Sequence, residues 1–132
     1  MGFSYLTVEE VVELHDMLVD LYGGLQGREH GKLESKLALP MSGFGDFERF
    51  PTIEEKAAAY HYYLASGHAF NDGNKRTSYA AAFIFLDFNG YDLVADDEDV
   101  FQWTLLLADD KTRPAFEEAV NWMAARIKKR EE

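Results

Sequence analysis

Cysteine is absent from all 132 residues, which excludes disulfides and cysteine-based metal sites at the outset. No apolar run is long and clean enough to cross a bilayer. The first residues carry no signal-peptide pattern, so the expectation is a cytoplasmic protein with no membrane partner. Positive charge is scarce: 13 Lys plus Arg stand against 24 Asp plus Glu, a formal charge of −11. A surface of that sign repels a nucleic-acid backbone and argues against direct nucleic-acid binding. Internal repeats, low-complexity tracts and a linker between two cores are missing as well. What is there is 47% hydrophobic and 14% aromatic, the composition of a packed globule rather than a disordered chain. The length suits one domain over residues 1–132 with one sizeable core.

Helical spacing runs through most of the chain. Thr7 and Glu10 make a capping-box pattern, and Val8, Val11, Leu14, Leu18 and Leu21 follow at helical intervals until Gly23-Gly24. A short helix is expected over residues 32–39, ended by Pro40. Residues 42–51 read as an exposed loop or small hairpin, with Gly43 and Gly45 as turn residues. Pro51-Thr52 opens a helix over residues 53–66, with Glu54 and Glu55 near its positive end and Gly67 at its exit. Residues 77–89 are apolar nearly all round, including Phe83, Phe85 and Phe88, which predicts a central buried helix closed by Gly90. The four carboxylates of residues 96–99 lack the spacing and glycine of a calcium loop and read as a helix start. Thr112 and Pro114 open a last helix with Phe116, Val120, Met123 and Ile127 on one face. Residues 128–132 are expected to fray. The predicted fold class is all-α, a small helical bundle.

Between the two middle helices, residues 68–76 read H-A-F-N-D-G-N-K-R. On the order of one chain in a million of this length matches H-x-F-x-D-x-N-K-R by chance at average usage, so this loop carries the functional reading. The following helix begins near Asn74, where unsatisfied backbone N–H groups favour phosphate. Gly73 permits close backbone approach to such a ligand. Asp72 is a hard oxygen donor suited to Mg²⁺ held jointly with substrate phosphates. Lys75 and Arg76 can grip phosphate oxygens, Arg76 with two parallel bonds. His68, four residues before Asp72, can accept a proton from an attacking hydroxyl. Taken singly each residue has a structural explanation: Phe70 as core anchor, Asp72 as helix cap, a histidine as a satisfied donor. That last reading is the only one for His15, His30 and His61. No structural need calls for the six loop residues together.

The loop resembles the signature of the Fic/Doc superfamily, and closely that of its death-on-curing (Doc) toxins. The similarity extends through Tyr22-Gly23-Gly24, Gly31-Lys32-Leu33-Glu34-Ser35-Lys36, Glu55-Lys56-Ala57-Ala58-Ala59-Tyr60 and Asn89-Gly90-Tyr91. It implies the small Fic/Doc-type helical fold. Fic adenylyltransferases read G-N-G-R where this chain has Gly73-Asn74-Lys75-Arg76, and the lysine is that of the Doc branch. Tyr79 stands where the second arginine of the Fic pattern falls, and the inhibitory S/T-x-x-x-E-G/N motif is missing. Many Doc loops have alanine at the position of Gly73.

The resemblance implies a toxin of a toxin–antitoxin system that uses ATP and Mg²⁺ to phosphorylate a Ser or Thr hydroxyl on a protein. Its implied target is translation elongation factor Tu, and its implied partner is a cognate antitoxin. His68 would be the general base and Asp72 the magnesium ligand. Gly73, Asn74, Lys75 and Arg76 would bind phosphates. Ser42, Gly43, Phe44 and Gly45 would belong to a flap that docks the target by strand-like pairing. Two other readings stand beside it: AMP transfer of the Fic type, and a non-catalytic antitoxin-binding module.

Overall fold

The computed structural model describes residues 2–131. Six α-helices follow in order: α1 Val8–Tyr22, α2 His30–Ala38, α3 Ile53–Ser66, α4 Asn74–Phe88, α5 Asp97–Ala108 and α6 Phe116–Ala124. A short 3-10 turn, Leu39–Met41, extends α2. Two antiparallel pairs of strands complete the chain: β1 Gly43–Phe44 with β2 Phe47–Glu48, and β3 Tyr91–Leu93 with β4 Ile127–Lys129.

Local chemistry starts the helices. Thr7 accepts from the Glu10 N–H while the Glu10 carboxylate accepts from the Thr7 N–H, so the expected capping box is formed. Thr52 and Glu55 form a second one at α3. Asp96 caps α5 by accepting from the Asp99 N–H at 2.8 Å, which accounts for one member of the acidic run as a helix start.

α3 is the axis of the bundle. It packs against α2, α4, α5 and α6, and nine of its residues are buried. The small side chains of Ala57, Ala58 and Ala59 let those neighbours come close, and all three are fully enclosed. α4 lies along it and supplies Phe85, which is fully buried among the rings of Tyr60, Tyr5 and Phe3 at 4.9, 5.8 and 6.5 Å. Removing such a ring typically costs about 3–5 kcal/mol.

Four expectations are corrected. α4 is not buried all round: Thr77, Ala81, Ala82, Phe85 and Leu86 face the core, while Phe83 and Phe88 are 43% and 45% exposed. Apolar composition marks what can be buried, and neighbours on all sides decide what is; that helix is α3. The fold is mainly helical but not all-α, because of the two strand pairs. The tail does not fray over its described residues. β4 pairs with β3 in the register Tyr91↔Lys129, Asp92↔Lys128, Leu93↔Ile127. Arg130 then ties it down through Asp92 at 2.8 Å and through Asp87. Three-residue strands carry no readable period, and their pairing spans too much sequence for local pattern to reveal. For the same reason α6 ends at Ala124, and Ile127 belongs to β4 rather than to its apolar face.

Candidate functional site

The signature loop joins α3 to α4 and is held from below. Ala69 and Phe70 are buried, and Phe70 stacks on the buried His15 ring of α1 at 3.8 Å and 6°. Phe70 and Arg28 form an isolated bridge, with the Glu29 N–H donating to the Ala69 carbonyl and the Asn71 N–H to the Gly27 carbonyl. The Asn74 side chain staples the loop to itself: its Oδ1 accepts from the Phe70 N–H at 3.1 Å and its Nδ2 donates to the Phe70 carbonyl at 2.9 Å. Phe70 is thus buried beneath the loop with both its backbone N–H and its carbonyl engaged. Asn74 sits at the site with both ends of its amide already engaged.

The backbone bends sharply at both ends of the catalytic-type stretch. Gly73 has φ +80° and ψ 11°, the left-handed conformation that glycine adopts without strain. A Cβ there would meet His15 Nε2 at 3.2 Å and Val19 Cγ2 at 3.4 Å, so the glycine also makes room for the helix beneath. His68 has φ 51°, the only positive φ of a non-glycine residue among those described. Left-handed backbone at a histidine costs energy and clusters at functional sites.

Asp72 is fixed on three sides. Its Oδ1 accepts from the Gly73 N–H at 2.9 Å and its Oδ2 from the Leu25 N–H at 3.3 Å. His15 Nε2 donates to the Asp72 carbonyl at 2.7 Å, an acceptor that requires the proton on that nitrogen. The Gly23-Gly24 turn after α1 makes this approach possible, since a Cβ on Gly24 would stand 3.0 Å from Asp72 Oδ2. Asp72 is not the cap of α4, whose N-cap is Gly73 and has no side-chain bond. Among the described residues no group of three His, Cys, Asp or Glu is arranged to hold a metal ion. A lone, oriented carboxylate is the donor set that a Mg²⁺ shared with phosphates calls for.

His68, Asp72, Gly73, Asn74, Lys75 and Arg76 line one cleft of about 840 Å³. His68, Asp72, Lys75 and Arg76 are exposed in it. Lys75 and Arg76 form no ion pair among the described residues, whereas Arg113, Arg126 and Arg130 all do. The Arg76 guanidinium instead lies 4.7 Å over the ring of Tyr22. Two cations that pair with no carboxylate among the described residues stand beside the first N–H groups of α4, an arrangement suited to an anion.

The opposite wall was not legible in the sequence. It comes from α5, through Asp97, Val100, Phe101 and Thr104, and from Tyr79 on α4. Thr104 is oriented by the fully buried His61, whose Nε2 lies 2.8 Å from its hydroxyl. Burial pushes that imidazole down to about 3, so it stays neutral. Burial and the Asp97 charge together raise the Tyr79 phenol above its ordinary value.

The residues expected to form a flap lie elsewhere. Ser42, Gly43, Phe44 and Gly45 line no part of the cleft and form the hairpin allowed for by the sequence. Gly45 turns it at φ +60°, and Gly43 lets the strands meet, since a Cβ there would fall 2.2 Å from the Phe47 carbonyl oxygen. Phe44 and Phe47 are 85% and 66% exposed.

Among the described residues, no helix is long and apolar enough to cross a membrane. The Fic/DOC family model matches residues 5–86. Toxin Doc of Mycolicibacterium smegmatis is 40% identical over 94 residues, 70% of this chain and 70% of that protein. Protein kinase doc of Escherichia phage P1 is 36% identical over 87 residues, 65% of this chain and 68% of that protein. With the loop, its cleft and these matches in agreement, the chain belongs to the Fic/DOC family, in its Doc branch.

Proposed function

We propose that this protein is the toxin of a toxin–antitoxin pair and transfers the γ-phosphoryl group of ATP to a Ser or Thr hydroxyl of a protein. The proposed target is translation elongation factor Tu, and the proposed partner is a cognate antitoxin. The observation that carries this reading is the grouping of His68, Asp72, Lys75 and Arg76 in one cleft, where neither cation pairs with a carboxylate among the described residues. The printed names of the two relatives, one a toxin and one a protein kinase, support it.

In this reading Lys75, Arg76 and the first N–H groups of α4 hold the nucleotide phosphates. Asp72, oriented by Leu25 and Gly73, holds Mg²⁺, which when bound offsets phosphate charge. Asn74 acts mainly by keeping the loop closed on Phe70. The target hydroxyl loses its proton to a ring nitrogen of His68 as its oxygen bonds to the γ-phosphorus. The bond to the bridging oxygen breaks, and ADP leaves. Positioning and charge supply most of the catalysis in such a transfer.

Intact-protein mass spectrometry of elongation factor Tu, incubated with this protein, ATP and Mg²⁺, tests the proposal. A gain of one phosphoryl group, lost with His68→Ala and with Asp72→Ala, is expected. Both residues are exposed, so neither variant should lose the fold. A gain of AMP instead would make the protein an adenylyltransferase. No modification there or in a whole lysate would leave a binding module.

A further inference from the structure

A lysine with no exposed side-chain surface lies beneath the flap. Lys56 is on α3, and its ammonium donates to the Pro40 carbonyl at 3.1 Å and to Glu48 Oε1 at 3.0 Å. The rings of Phe3 and Tyr5 lie 5.1 and 5.4 Å from the same nitrogen. Glu48 is the only carboxylate paired with it among the described residues, and its own side chain is half exposed on β2. Pro40 belongs to the turn that leads into β1. One ammonium therefore holds both arms of the hairpin to the axial helix of the bundle.

The hairpin needs such a hold. Each of its strands is two residues long, and every residue from Gly43 to Arg49 is exposed. A lone hairpin of that size is not stable in water. Phe50 anchors the exit by packing on Phe116 at 5.0 Å, but it lies outside the strands. An apolar side chain in place of Lys56 would fill the same space without choosing where Glu48 goes. A buried cation does choose, because leaving it unpaired is costly.

We propose that Lys56 is the positioning residue of the flap, setting through Glu48 where the hairpin presents its edge to an extended segment of a protein target. This rests on the function proposed above and on the docking of the target at this hairpin that the family resemblance implies.

Lys56→Met and Glu48→Gln test it. Methionine matches the buried stem and leaves Glu48 to water, so that variant is expected to fold. The first readout is hydrogen exchange of the Arg49 amide, which closes the hairpin by donating to the Ser42 carbonyl at 3.0 Å. Exchange should rise by about tenfold or more in both variants. The second readout is the Michaelis constant for the protein target, which should rise by about tenfold while that for ATP stays within about twofold. The double variant should match Lys56→Met rather than add to it. Unchanged Arg49 exchange in both variants overturns the proposal, and so does faster exchange with an unaltered target constant. An equal loss for target and ATP would mean a general structural role and would overturn it too. If the wild-type protein transfers nothing to any target, the function proposed above fails, while the exchange measurement still decides whether Lys56 holds the flap.

Discussion

Replacing Gly73 with alanine tests the geometry of the site most directly. Three contributions can be worked from the structure. A left-handed backbone costs a residue with a Cβ about 1–2 kcal/mol, and Gly73 sits there at φ +80°. Alanine restricts the unfolded chain and returns about 0.4–1 kcal/mol. The new Cβ would lie 3.2 and 3.3 Å from Nε2 and Cδ2 of His15. That ring cannot easily retreat, since it stacks on Phe70 and is bonded to the Asp72 carbonyl. Crowding of this kind adds about 1 kcal/mol. The sum is a destabilisation of about 2 kcal/mol, which for a chain of this length lowers Tm by about 7 °C. Calorimetry or thermal circular dichroism of the two proteins measures it, and urea titration checks the free energy. A cycle with His15→Ala isolates the contact, with an expected coupling of about 1 kcal/mol. A Tm equal to or above that of the wild type would refute the reasoning, and zero coupling would refute the part assigned to His15.

Other perturbations have equally definite outcomes. His61 is held down to about 3 by burial, against an ordinary value of 6.5, so the unfolded chain takes up that proton first. Its contribution to stability is complete above about pH 6.5 and is lost as pH falls toward 3; wild type should lose about 3 kcal/mol more than His61→Gln between pH 7 and 4 in urea titrations. Parallel pH profiles for the two would show that burial does not shift this ring. Asn74→Ala strips both partners from the Phe70 backbone and should cost about 1–3 kcal/mol, with Asn74→Asp, which keeps only the acceptor, in between. Gly43→Ala sets a Cβ against the Phe47 carbonyl and should open the hairpin, abolishing protection of the Arg49 amide while changing global stability by less than about 0.5 kcal/mol.

The parts of this molecule legible in sequence are those written locally. The capping box at Thr7 and the start of α4 at Asn74 follow from neighbouring residues, and both stand where expected. The signature loop is contiguous, so its five chemical side chains and its glycine could be listed before any geometry was known. What escaped depends on distant contact. His15 reads as a satisfied donor, and it is one, yet nothing in the sequence says that its acceptor is Asp72, 57 positions away. The α5 wall of the cleft looks like ordinary apolar helix, because Val100 and Phe101 carry no chemistry of their own. Ile127 reads as part of the last helix and residues 128–132 as a frayed end, because the partner that makes 127–129 a strand is β3, far back in the sequence. Apolar content misjudged α4 for a related reason, since a helix at the flank of a bundle can keep exposed phenylalanines.

The bridge between Arg28 and Phe70, the Asn71 bond to Gly27 and the grip of His15 on Asp72 all come from the first 30 residues. The nine-residue signature is therefore not portable. A fragment beginning at α2, or a loop grafted onto another helix pair, would keep every chemical group and lose the surface that shapes them. Chains that carry the motif without an equivalent of α1 and its Gly23-Gly24 turn would be expected to be inert, however well their loops match.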